Sequence, residues 1–285
     1  MRLDVLDHGH RRRVRLFLRT TRRMSGVDMP DVVTMLLYRP DFLGGPLLDI
    51  TARAMRGPSY WTAGEREFLA ASTAKLFRLP FCIDAHSELT RIASDGSLDA
   101  ADPVAARPEL LAVRDFLASV SRTPDGVGPA PELPERALRD ALRVNLVWNI
   151  VNRLGLAFGF ELRDGQLEPG TKALHRSGYR MPAFLVGRHG QGDLVENLRH
   201  AVFDSPGVTS TADRAVAGSG GGLPEPWRTY AAAVRDAPES ITDADVAALR
   251  AAHGEDEIFE ITVAAAVGAA LHSLEAGLRA AGRAG

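Results

Sequence analysis

Trp61-Thr62-Ala63-Gly64-Glu65-Arg66-Glu67-Phe68-Leu69-Ala70-Ala71-Ser72, and after a short gap Leu79-Pro80-Phe81-Cys82-Ile83-Asp84-Ala85-His86-Ser87, read as two helices with a chain reversal between them. Thr62 can cap the free N–H groups of the first helix, and Glu65, three residues on, can reach back in the reciprocal arrangement of a capping box. The helix so started carries Glu67 and is expected to run to about Leu76. Leu79-Pro80 breaks it. Pro80 suits the first turn of the next helix, where its missing N–H costs nothing. That helix is expected from about Phe81 to Ala93, with Asp95-Gly96 ending it.

Cys82 and His86 are four residues apart and therefore share one helical face. Cys82 falls in the first turn, near the positive end of the helix dipole, a location that lowers a thiol pKa. A reversal near residues 77 to 79 lays the helices antiparallel and turns Glu67 towards His86 rather than Cys82. The order Cys82–His86–Glu67 follows the logic of nucleophile, base and orienting carboxylate. Plainer readings stand beside it. A free cysteine often serves as a small buried hydrophobe, a histidine as a hydrogen-bonded structural residue, and a helical glutamate as a solvated one.

Working outward, helical periodicity dominates and no run alternates as a strand would. Helices are expected over His10 to Met24, Asp31 to Tyr38, Pro46 to Met55 and from Pro108 to about Val120. A long one runs from Pro134 to about Phe158, where Leu138, Leu142, Leu146, Ile150 and Leu154 form a buried stripe. Residues Arg163 to Gly190 read as irregular, with His175 and Tyr179 either closing over a pocket or lying in a plain surface loop. Leu194 to Phe203 suits a short helix. Ser205 to Pro226 reads as a linker centred on Ser219-Gly220-Gly221-Gly222. Helices resume over Glu225 to Asp236, Thr242 to His253 and Glu255 to Ala281. Laying Glu260 on Glu67 makes the last helix a weak echo of the first, with His272 where Leu79 stands and Glu275 where Cys82 stands.

The 285 residues are 45% hydrophobic and 25% charged, the composition of an ordinary soluble globular protein. A net charge of −2 gives no electrostatic case for nucleic acid or for an acidic membrane surface, so neither is expected as a partner. The longest apolar stretch, Ile261 to Leu271, reads as too short to span a bilayer. One cysteine rules out an intrachain disulfide and fits a cytoplasmic location. His8 and His10 read as solvated, His253 as a helix-end residue, and His189 and His200 as lacking a carboxylate at matching spacing. No metal site and no cofactor are expected.

The Glu67, Cys82 and His86 spacing resembles the core motif of the alkylhydroperoxidase AhpD-like and carboxymuconolactone decarboxylase superfamily: a glutamate, eleven residues, then Cys-x-x-Cys-x-x-x-His. Leu146-Val147-Trp148-Asn149-Ile150-Val151-Asn152-Arg153-Leu154 is similar to the Phe-Asn-x-x-Asn-Arg helix of its peroxidase-related branch. Asp256-Glu257-Ile258-Phe259-Glu260-Ile261-Thr262-Val263-Ala264 is similar to another branch. The resemblance implies an all-α, AhpD-like helical fold of two tandem units, the second degenerate. The first would occupy residues 1–165 and carry the site, residues 166–223 would connect, and residues 224–285 would form the degenerate unit.

In that family the second motif cysteine attacks peroxide, the first resolves the sulfenic acid as a disulfide, and the histidine and glutamate relay protons. By position, Cys82 would attack, His86 would be its proton partner and Glu67 the end of the relay. The resolving position is Leu79, so an external thiol reductant would have to complete the cycle. Leu79 also makes the surroundings of the thiol drier, which opposes ionisation. The expected activity is a thiol-dependent hydroperoxidase. The alternatives are a non-redox acid/base enzyme of the decarboxylase kind, acting on a small carboxylic acid or lactone, and a non-catalytic helical assembly protein. Family members associate through helical faces, so a homo-oligomer is expected.

Overall fold

The computed structural model describes residues 1–187 and 191–282. His189 lies outside them. The fold is all-α: no strand occurs among the described residues, and fifteen α-helices follow one another. They are α1 (Val5–His8), α2 (Arg12–Ser25), α3 (Asp31–Tyr38), α4 (Gly45–Arg56), α5 (Ala63–Phe77), α6 (Pro80–Ala93), α7 (Pro108–Arg122) and α8 (Glu135–Phe158). There follow α9 (Leu167–Ser177), α10 (Ala183–Val186), α11 (Leu194–Phe203), α12 (Thr211–Ser219), α13 (Trp227–Asp236), α14 (Asp243–Arg250) and α15 (Glu255–Ala281).

The chain condenses into two compact units that interleave along the sequence. One comprises residues 1–49, 153–170 and 180–269, the other residues 50–152, 171–179 and 270 onward. The units therefore cut across the divisions at 165 and 223. Much of the expected connector is helical instead. Helices α9 to α12 all lie within it, and Thr171, Leu185, Leu198, Val202, Arg214 and Ala217 are buried there. The glycines of that stretch suggest flexibility, but one of them serves packing and another ends a helix. A Cβ on Gly268 of α15 would lie 2.3 Å from the Gly218 backbone, so these helices touch where neither has a side chain. Gly220 takes the left-handed conformation that caps α12.

In the unit built around residues 50–152, α5 and α6 form an antiparallel hairpin. The Thr62 hydroxyl accepts from the Glu65 amide at 3.2 Å, and the Glu65 carboxylate accepts from the Thr62 amide at 2.8 Å, closing the capping box. Arg78, in the left-handed region at φ 56°, ends α5, and extended Leu79 leads into Pro80 at the start of α6. Gly64 permits the close approach of the hairpin's far ends, since a Cβ there would come within 2.7 Å of Ser94. The stripe Leu138, Leu142, Leu146 and Ile150 of α8 is wholly buried. Trp61 donates its indole N–H to the Ala137 carbonyl at 2.8 Å, tying the start of α5 to α8.

The other unit packs Tyr38, Phe42 and Phe158 around Phe259 of α15, with ring centroids 5.2 to 6.2 Å apart. Helix α15 as a whole is long and apolar enough to cross a membrane, which corrects the reading of Ile261 to Leu271 taken alone. Yet 78% of its most apolar window is buried inside the protein, as in a core helix. His10 is also corrected. It is buried rather than solvated, its Nε2 lies 2.8 Å from the Thr34 carbonyl, and burial lowers its pKa.

Candidate active site

Glu67 sits on the second turn of α5 with no exposed surface. A buried carboxylate is costly unless its oxygens are filled by donors, and here donors from three side chains fill them. His86 on α6 places Nδ1 2.8 Å from Oε2. Arg56, at the end of α4, donates to Oε1 at 2.6 Å. The Tyr179 hydroxyl donates to both oxygens, at 2.8 and 2.9 Å. Burial alone pushes the Glu67 pKa up, but the hydrogen bond and charge of His86 and the Arg56 guanidinium hold it below the ordinary carboxylate value. Glu67 is therefore an ionised group in a dry setting.

That carboxylate fixes the imidazole. With Nδ1 donating to the Glu67 carboxylate, His86 has its other nitrogen, Nε2, without a hydrogen bond among the described residues. The ring is clamped edge-on against Trp148 of α8, centroids 3.9 Å apart. Trp148 is itself held by an N–H donated to the Met55 sulfur at 3.3 Å. The Thr90 hydroxyl donates to the His86 carbonyl at 2.7 Å. The helical hairpin thus joins Glu67 to His86 as the spacing predicts.

Cys82 behaves differently from its expectation. It lies in the first turn of α6, one turn before His86, but is 1% exposed and makes no hydrogen bond to the imidazole or to any other described group. Burial pushes its thiol well above the ordinary range. The magnitudes explain why. A helix N-terminus is worth about 0.3–1 kcal/mol to a nearby anion, whereas full burial can shift a pKa by roughly 3–5 units at about 1.4 kcal/mol each. Desolvation wins, and the resting sulfur is a neutral thiol.

One partner of Glu67, Arg56, escapes the sequence reading of the site. Another, Tyr179, is open in sequence between closing over a pocket and lying in a surface loop; it is buried against the carboxylate. Arg56 stands eleven residues before Glu67. It also covers the Tyr179 ring, its Cζ 5.1 Å from the centroid. Tyr179 comes from 112 residues away, in the middle of a segment read as irregular. Gly178 and Tyr179 both adopt positive φ, 60° and 65°. For an aromatic residue that is an uncommon, strained backbone, found where surrounding structure over-determines it. The tight turn delivers the hydroxyl to the carboxylate, and burial followed by the Glu67 charge raises the Tyr179 pKa far above its usual value. The signal in sequence is an aromatic after Gly178 in a glycine-rich segment, which does not say what it closes over.

Asn149 and Asn152 of α8 are buried and serve the helix, donating to the Asn145 and Trp148 carbonyls at 3.1 and 2.6 Å. His200 does have a carboxylate at matching spacing, Asp204 at 3.1 Å, which corrects the earlier expectation, but the pair is exposed. His272 pairs with Asp125 at 2.8 Å. Among the described residues no three His, Cys, Asp or Glu side chains converge as a metal site would require. No family model, no curated protein and no solved structure matches this chain.

Proposed function

We propose that the Glu67–His86 pair is the proton-transfer centre of an enzyme of the carboxymuconolactone decarboxylase kind, acting on a small carboxylic acid or lactone. One observation carries this reading: a fully buried, ionised carboxylate holds one nitrogen of an imidazole and leaves the other free. Nε2 of His86 would take a proton from the carbon next to the substrate carbonyl, the electron pair passing to the carbonyl oxygen. Glu67 stabilises the imidazolium, which returns the proton to that carbon. Where the carbon bears a carboxylate, loss of carbon dioxide generates the same enolate, the C–C electron pair passing to the carbonyl oxygen, and the imidazolium protonates it. General base catalysis of this sort is worth roughly 10²–10⁴ in rate. Tyr179 and Arg56 keep Glu67 ionised throughout, and Cys82 is part of the wall. Solvent-deuterium incorporation into a panel of small lactones and carboxylic acids tests this. Exchange that persists in Cys82→Ser and disappears in His86→Ala is the expected result. Exchange untouched by His86→Ala sinks the reading.

A second reading is favoured by the one-turn spacing of Cys82 and His86 and by how closed the site is. Cys82, His86, Glu67 and Tyr179 are 1, 3, 0 and 4% exposed, a setting that suits a very small substrate. Here Cys82 Sγ attacks a hydroperoxide, an S–O bond forms and the O–O bond breaks. The thiol proton passes through Nε2 to the leaving alkoxide. Two external thiols would then return the sulfenic acid to the thiol, releasing water and their own disulfide, because Leu79 supplies no resolving sulfur. Peroxide consumption that needs both Cys82 and added dithiol would select this reading over the first.

A further inference from the structure

The net charge of the whole chain conceals a local concentration. Arg11, Arg12, Arg13, Arg15, Arg19, Arg22 and Arg23 fall within thirteen residues, and no Asp or Glu occurs between His8 and Val27. All seven are exposed. Two find partners, Arg11 with Asp41 at 2.6 Å and Arg22 with Asp28 at 3.2 Å. The other five make no ion pair among the described residues. Helix α2 is also loosely seated, with Val14 as its single buried side chain.

The outward face is more than charged. Arg12, Leu16, Arg19 and Arg23 follow one another along a single helical stripe. Leu16 is 67% exposed in the middle of it. Phe17 and Met24, seven residues apart, share the adjoining edge. Met24 is 83% exposed, and Phe184, 56% exposed, sets its ring against Phe17 with centroids 6.5 Å apart. A solvated charged face has no use for three exposed large apolar side chains, and a phosphate backbone needs cations alone. Arginines interleaved with exposed apolar groups along a surface helix are the makings of an interfacial helix.

We propose that α2 docks on an anionic lipid bilayer, with Arg12, Arg19 and Arg23 on the headgroups and Leu16, Met24 and Phe184 at the acyl boundary. The proposal is independent of the chemistry at Glu67. Binding would be peripheral, reversible and weakened by salt, because the apolar contact is small and each arginine near such a surface contributes about fivefold.

The full-length protein is tested by co-sedimentation with vesicles of phosphatidylserine and phosphatidylcholine, roughly 3:7, against phosphatidylcholine alone. Binding to the anionic vesicles only, falling as salt rises, is expected. Arg12→Gln/Arg19→Gln/Arg23→Gln should weaken it about a hundredfold. Arg136→Gln/Arg139→Gln/Arg143→Gln, the same charge change on α8, should leave it unchanged, and helical circular dichroism identifies any variant that fails to fold. Leu16→Gln/Met24→Gln should weaken binding while keeping the salt dependence of the wild type, which provides a second test should the arginine variant misfold. Equal binding to neutral vesicles, equal loss in both arginine triples, or retention on duplex DNA without vesicle binding would each overturn the proposal.

Discussion

Among the described residues each unit buries one glutamate completely, and the two are held by different kinds of donor. Glu67 takes its hydrogen bonds from His86, Tyr179 and Arg56. Glu260 on α15 takes its own from the Val208 and Thr209 amides at 2.9 and 2.8 Å, from the Thr209 hydroxyl, and from Arg39 and Arg214. Burial pushes both carboxyls up and their donors hold both below the ordinary value. The two are alike in charge and dryness and differ in whether a donor can change its protonation. An imidazole has a second nitrogen that can accept a proton, whereas guanidinium and amide groups have no such acceptor. Arg214, fully buried, also donates to the Val202 and Thr209 carbonyls at 2.8 and 2.6 Å, so Glu260 locks the turn before α12 in place. Under the proposed function, Glu67 serves proton transfer while Glu260 serves only the scaffold.

The contrast can be broken in several places. The largest expected effect is in His86→Ala, which should cost roughly 10²–10⁴ in turnover while the protein stays folded. Glu260→Gln should leave turnover intact, so equal kinetic losses in the two variants would erase the distinction. Next, Glu260→Ala strands Arg39 and Arg214 and should lower unfolding free energy by about 3–5 kcal/mol in a denaturant titration.

Tyr179→Phe is smaller and sharper. It removes the hydroxyl from both Glu67 oxygens, a loss of about 1.5–3 kcal/mol for hydrogen bonds to a charged group. The Glu67 pKa is depressed in the fold, so its stabilisation is fully present above the unfolded value of about 4.3 and is lost as pH falls through the folded one. Without Tyr179 the folded value rises, and less stability remains to be lost on acidification. Unfolding measured at neutral and at acid pH should therefore converge in the variant. Smallest of all, Cys82→Ala should cost about 1 kcal/mol of stability and change carbon-acid turnover less than twofold. A tenfold kinetic loss there would move the chemistry to sulfur.

What could be read beforehand was local. Thr62 with Glu65, Pro80 after the reversal, and the four-residue step from Cys82 to His86 each involve side chains that meet within one or two turns, so periodicity and capping suffice to place them. The donors that come from afar were invisible. Nothing around Gly178-Tyr179 announces a hydroxyl bound for residue 67, and nothing in Ser205 to Ser210 announces amides bound for residue 260. Helix α12 was hidden by composition, because Ala, Gly and Ser next to a glycine run look like linker until Gly268 provides a groove for Gly218. Cys82 shows a further limit: position on a helix is written in the sequence, but dryness depends on what closes over it.

The Arg78–Leu79 reversal has a consequence for the order of assembly. Glu67 and His86 are nineteen residues apart within one hairpin, whereas Tyr179 lies 112 residues from the carboxylate it caps. Contacts of short sequence separation close with little loss of chain entropy, and distant ones wait. The Glu67–His86 hydrogen bond is therefore expected to form while still wet, with the phenol arriving later to expel the water. In pulsed hydrogen exchange, protection of the α5 and α6 amides before those of α9 would record that sequence of events.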